Sequence, residues 1–303
     1  MLFTPTSVAR LRWSDFLSLA MLSMIVLPGL ALASEVIELP QSDGSTLKLR
    51  SPAKRLVTLS PHLTELVYAA GAGDLVVATV EYSEYPPAAI EIPRVGDAFR
   101  IDTERIHLNS PDLILAWETG NPPAALAQLS SLGFAVWIIE IREVEAIARV
   151  IQQIGMAADT SALADPVSED ILLQINTLKS QNKAKEDISY FYQIAAKPLY
   201  TINGEHLISR GLKLCGGRNV FSDLPNLAPQ VGMEAVLLAD PSVLIGPDIE
   251  GASDPLQHWQ SWSRMTAVNN GSYMLLPADA ISRATPRFID AVELACTMLD
   301  DLR

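Results

Sequence analysis

Two cysteines, four histidines and 22 basic residues are few for a chain of 303. Each shortage excludes something. Two cysteines cannot form a tetrahedral zinc site alone, and no histidine stands near either at ligand spacing. The histidines His62, His107, His206 and His258 share no metal-ligand spacing either. With 35 acids against 22 bases the net charge is −13. Such a surface argues against nucleic acid, whose binding needs Lys and Arg against phosphate. It suits solubility and docking onto a basic partner surface. No G-x-S-x-G elbow, H-E-x-x-H helix or Walker loop occurs, so no catalytic constellation stands out.

What is present begins with an export signal. Arg10 and Arg12 precede an almost wholly apolar run from Phe16 to Ala33, and Ala31-Leu32-Ala33 fits a small-x-small cleavage site. Residues 1–33 are therefore predicted to be a cleavable signal peptide directing the chain to a Gram-negative periplasm, a membrane anchor being the alternative. Pro28 and Gly29 favour processing, and no Cys follows for lipid attachment. The remaining 270 residues carry a charge of −14 and suffice for two lobes with real cores. In an oxidising compartment Cys215 and Cys296 are most simply a disulfide, with two buried thiols as the alternative.

Apolar β-branched runs at Leu56–Ser60, Val76–Val80, Asp112–Trp117 and Phe134–Glu140 alternate with helical patterns at His62–Ala70 and Pro122–Leu132. That alternation implies a parallel sheet covered on both faces. From Val144 to about Lys183 the pattern is helical, with a break near Asp159 to Ser161 and an apolar stripe at Ile171, Leu172, Ile175 and Leu178. A coil linker would hold more Gly and Ser. A second series follows: strands at Ile188–Ile194 and Tyr273–Pro277, a strand and turn at Tyr200–Gly204, and helices at His206–Leu214, Asp254–Met265 and Thr285–Leu302, the last with Thr285 as N-cap before Pro286. The fold class is α/β, two Rossmann-like lobes joined by one long helix. The divisions are 34–157, 158–186 for the connecting helix, and 187–303.

One segment occurs twice. Glu104 to Leu115 and Glu234 to Ile245 each place a Glu seven residues before a Pro, a short amphipathic helix between, and an apolar strand after. Dipole compensation accounts for one such Glu. It does not require the same offset twice, and matched acids suit a partner that is itself two-fold.

Side chains that follow strand ends face the crevice of an open α/β sheet. His62 in Ser60-Pro61-His62 is one, as metal ligand, ligand contact or solvated first-turn residue. Tyr82 offers a flat face for a planar ligand, although Tyr82 and Tyr85 also fit as wedges of the Pro86-Pro87 turn. Trp117, ahead of a polar Gly turn, lines a pocket or plugs the core. Asp279, Ser282 and Arg283 can bond polar ligand groups while Ala280 and Ile281 pack on an apolar face, or Asp279 and Arg283 pair internally.

The stretches Leu56–Gly71, Tyr82–Pro87, Glu104–Trp117, Leu214–Phe221, Pro229–Pro247 and Asp279–Arg287 together make the chain similar to the periplasmic cobalamin-binding proteins of ABC importers. The resemblance implies a monomeric receptor holding cobalamin or a related corrinoid between its lobes, with no cofactor and no catalysed reaction. It implies ligand contacts by Tyr82, Trp117, Asp279, Ala280, Ile281, Ser282 and Arg283, a Cys215–Cys296 disulfide, and docking of Glu104 and Glu234 onto arginines of a permease dimer. The chain departs from the family pattern at five positions. Aromatic residues are usual where Ala280 and Ile281 stand, Trp where Ala98 and Ala228 stand, and a small residue where His62 stands. A haem or ferric-siderophore receptor of the same class is therefore an alternative, and a metal-dependent hydrolase built around His62 a further one.

Overall fold

The computed structural model describes residues 1–4 and 36–303. The predicted signal peptide lies almost wholly outside the described residues. From residue 36 onward the chain belongs to a single compact unit.

Two four-stranded parallel sheets dominate it. In the first, β3 (Leu56–Thr58), β4 (Val76–Ala78), β5 (Leu113–Trp117) and β6 (Val136–Ile139) lie in the order β4-β3-β5-β6. In the second, β7 (Ile188–Tyr192), β10 (Gly217–Asn219), β11 (Val243–Asp248) and β12 (Tyr273–Pro277) lie in the order β10-β7-β11-β12. Each lobe therefore follows the same plan, its first strand set between its second and third. The strands are short and apolar because both faces are covered; β7 is buried at all five residues.

Helix α1 (Pro61–Ala69) leaves β3, α2 (Thr103–Asn109) precedes β5, and α3 (Pro123–Ser131) links β5 to β6. The predicted long helical stretch is two helices, α4 (Val144–Ala158) and α5 (Ser161–Asn182), turned at Asp159, whose φ is 61°. Their crossing is close: a Cβ on Gly155 would lie 2.4 Å from that of Ala164. At 22 residues α5 spans about 33 Å. It starts against the first lobe, where Thr160 donates to the Ala70 carbonyl at 2.7 Å, and Lys185 just beyond it meets Asp300 at 2.6 Å in the second. The inner faces of both sheets, α4, α5 and the last helix α10 (Pro286–Asp300) share one continuous apolar core. Separate clusters cover the outer face of each sheet.

The structure departs from the sequence reading at several points. An antiparallel hairpin, β1 (Ile37–Pro40) and β2 (Thr46–Leu49), precedes the first lobe. The Trp137 indole donates to Pro40 and ties it down. The second lobe carries a small antiparallel pair, β8 (Ala195–Ala196) and β9 (Leu199–Tyr200), where a strand and turn over Tyr200–Gly204 was expected. Helix α6 (Leu207–Lys213) is close to expectation. The expected helix over Asp254–Met265 is a 3-10 turn at Gln257–Ser261 followed by α8 (Thr266–Asn270); Pro255 and the Asp254 side chain, which accepts from Leu256 N–H, favour a turn there. Thr285 stands at the N-cap of α10, but its buried hydroxyl has no partner among the described residues.

Cys215 and Cys296 form a disulfide joining the end of α6 to α10, 81 residues apart. Closing a loop of that length restricts the unfolded chain by on the order of 4 kcal/mol. Urea unfolding of a Cys215→Ser, Cys296→Ser double variant should show a loss approaching that figure; an unchanged midpoint would mean the bridge adds nothing to the packing.

Candidate functional site

The carboxyl ends of both sheets carry the ligand-contact candidates that the sequence singled out. In the first lobe they are held by two polar networks. The hydroxyls of Thr58, Thr64, Thr79 and Ser83, all buried, share hydrogen bonds of 2.7–3.3 Å and fasten the start of α1 to the segment after β4. Asn121 is the second hub. It accepts from Trp117 N–H at 2.6 Å and donates to the carbonyls of Leu59 and Ala98 at 2.8 and 2.9 Å. Three loops are thus tied to one side chain.

On this frame Tyr82 is 70% exposed and has φ of 65°, a left-handed conformation that costs a bulky residue energy. Ser83, fixed on both sides by the hydroxyl cluster and by Arg94 donating to its carbonyl at 3.0 Å, holds it there. Trp117 is half-buried and packs over Gly120, where any Cβ would sit 1.8 Å from the indole. His62 meets Trp117 edge to face, centroids 5.2 Å apart at 87°. Its Nδ1 bonds Ser60 Oγ at 2.9 Å, while Ser60 also caps α1. Burial, and secondarily the charge of Arg283, pushes the imidazole down to about 4.

The second lobe contributes α9 (Ala278–Ser282), a short helix where a loop was expected. Asp279 and Ser282 are exposed, and Ala280 is half-buried. Ile281 is 1% exposed and belongs to the core, so its side chain does not offer the apolar face the sequence reading gave it. The α9 turn directs Ile281 inward as it directs Asp279 and Ser282 outward.

Arg283 donates to Asp279 at 3.2 Å, and also to Glu65 of α1, across the lobes, at 3.0 Å. Arg287 binds the same carboxylate with two bonds, of 3.0 and 2.6 Å, and stacks 4.1 Å over the Tyr85 ring. Glu65 is 3% exposed. This inter-lobe clamp escaped the sequence reading: Glu65 falls inside a helix with no motif around it. Other exposed apolar side chains are Ile194 and Ile249, just past β7 and β11, and Phe99, in a bend whose neighbour Ala98 accepts from Asn121. Among the described residues no three His, Cys, Asp or Glu side chains gather as ligands for a bare metal ion.

The repeated segments form matching units away from this edge. Glu104 lies in the first turn of α2 and Glu234 in that of α7 (Met233–Ala239), both exposed. Two residues on, Ile106 and Val236 are fully buried. Two further on, Leu108 and Leu238 are 76% and 88% exposed. Both helices end in left-handed caps, Ser110 with φ 44° and Asp240 with φ 41°. Each lobe therefore shows a carboxylate and a leucine one helical turn apart.

The described architecture has counterparts. A family model described as periplasmic binding protein matches residues 56–280. The chain belongs to that family. It is 39% identical to the vitamin B12-binding protein of Vibrio cholerae over 249 residues, 82% of this chain and 90% of that protein. The crystal structure of the periplasmic vitamin B12 binding protein of V. cholerae superposes with a TM-score of 0.76 at 38% identity, covering 83% of this chain and 98% of the other. A periplasmic heme-binding protein from Roseiflexus sp. RS-1 shares the fold, with a TM-score of 0.72 at 20% identity, over 83% of this chain and all of that one.

The two depressed histidines set a pH dependence for the ligand-free protein. Burial also pushes His206 down to about 4. Both are neutral when folded but take up protons near 6.5 when unfolded. Their contribution to stability is full above pH 6.5, shrinks as pH falls toward 4, and is constant below. Urea midpoints measured between pH 7 and 4 should fall, and the slope should flatten in a His62→Gln, His206→Gln double variant; equal slopes would refute the assignment.

Proposed function

We propose that this chain is an exported, monomeric receptor that holds cobalamin or a close corrinoid between its lobes. It hands the ligand to an ABC importer and catalyses no reaction. The observation that carries the reading is the likeness to the V. cholerae vitamin B12-binding protein, which spans both lobes in sequence and in structure. The site supports it. Tyr82 and Trp117 offer aromatic surface from the first lobe, and Asp279, Ser282 and Arg283 offer polar groups from the second, as a large, largely apolar ligand with a polar periphery requires. Ala280 lies beside them. Isothermal titration with cyanocobalamin tests the assignment, one site per chain being expected. A parallel absorbance titration with haemin separates the corrinoid from the haem reading: haemin binding without corrinoid binding would overturn it.

Glu104 and Glu234 are proposed to dock on a permease dimer in the inner membrane. Support comes from the twin units: one unit per lobe, each with an exposed carboxylate and an exposed leucine, suits a partner with two equivalent surfaces. Glu104→Lys and Glu234→Lys should each leave cobalamin affinity unchanged and lower uptake on the order of tenfold. Ligand affinity that collapses with the charge reversal would place these acids in the binding site instead.

A further inference from the structure

His62 has a free coordinating nitrogen. Its Nδ1 is taken by Ser60 Oγ at 2.9 Å, and no group among the described residues bonds Nε2. The side chain is not sealed away, since His62 is only half-buried. Its direction follows from the helix. His62 stands three residues before Glu65 and shares its face of α1. Glu65 reaches across to Arg283 and Arg287 of the second lobe, so His62 faces the same gap. The Trp117 edge-to-face contact and the Ser60 bond fix the ring from two sides.

A ring held through one nitrogen with the other left open is how metal-ligating histidines are oriented. Yet among the described residues no second or third ligand accompanies it to make a site for a bare ion. A lone imidazole suits a metal whose other positions are already filled, as in a corrinoid macrocycle.

We propose that His62 Nε2 coordinates the cobalt of the bound corrinoid at an axial position. The inference rests on the corrinoid reading above. When Nδ1–H donates to Ser60 Oγ, the Nε2 lone pair is available. The cobalt–water bond breaks, the water leaves to solvent, and the Nε2 pair forms the new bond. No electron is transferred and no proton moves.

The test compares two corrinoids on the mature protein. Cyanocobalamin has both axial positions filled; diaquacobinamide has water at both. Wild-type protein should shift the diaquacobinamide absorbance toward that of an imidazole complex, and His62→Ala and His62→Gln should abolish the shift. Affinity for diaquacobinamide should fall on the order of tenfold or more in both variants, and by a larger factor than affinity for cyanocobalamin, whose axial positions are already filled. After reduction to cobalt(II), electron paramagnetic resonance should show coupling to one nitrogen. The triplet should become a doublet when the protein is grown with 15N-histidine. Ser60 still caps α1 in both variants, and thermal melting confirms that they fold. Binding of both corrinoids with no wild-type shift, or with a shift that survives in the variants, overturns the coordination while leaving the receptor reading intact. Failure to bind either corrinoid overturns both.

Discussion

A single buried carboxylate sets the geometry on which the rest of the molecule depends. Glu65 sits in α1, almost without solvent, and receives three hydrogen bonds from two guanidinium groups of the other lobe. An unpaired charge in that position would cost several kcal/mol, so the lobes are constrained to keep both arginines within reach. Arg287 is stacked on Tyr85 and Arg283 is bonded to Asp279, which extends the constraint to the strand-end segments of both lobes. The long helix α5 supplies a second attachment, and the core is continuous through it. Two separated attachments, one polar at the cleft and one apolar along a helix, resist both opening and twisting in a way that neither does alone.

The twin plan of the lobes gives this frame its second property. The sheets repeat the same strand order, and the segment containing α2 and β5 recurs as α7 and β11 with the same buried residue, exposed leucine and left-handed cap. Fixing the lobes relative to one another therefore also fixes the separation of Glu104 and Glu234. A partner with two equivalent acceptors can read that distance only if it does not fluctuate. On the proposed function, docking and ligand holding depend on the same clamp, even though the acids and the strand-end residues belong to different parts of the surface.

Much of this was legible in the sequence, for definite reasons. Strands buried on both faces announce themselves as apolar runs, and the repeat is visible because its spacing is short and local. The long helical stretch was readable from its apolar stripe and its lack of Gly and Ser, and the break at Asp159 from polar residues between two helical patterns. Illegible features were those decided by distant partners. Glu65 reads as an ordinary helix residue until the second lobe is folded against it. Ile281 reads as a cleft residue until α9 turns it inward. The hairpin of β1 and β2 depends on Trp137, almost 100 residues away. The 3-10 turn at Gln257–Ser261 reflects Asp254 and Pro255 overruling a helical composition.

On the proposed function, the clamp also bears on how the protein selects its ligand. Arg283 is committed to Glu65 and Asp279 before any ligand arrives, so it presents remaining donor capacity in a fixed direction. Tyr82 is likewise held by a strained backbone that the hydroxyl cluster stabilises. Groups fixed in advance lose little freedom on binding, and they discriminate by shape because they cannot follow a poor fit. His62 belongs to the same set, its ring locked by Ser60 and Trp117. A coordinate bond is far more directional than apolar contact, so it is useful only on a frame that does not move. The buried Glu65 pairing supplies such a frame directly beneath it, one turn along the same helix.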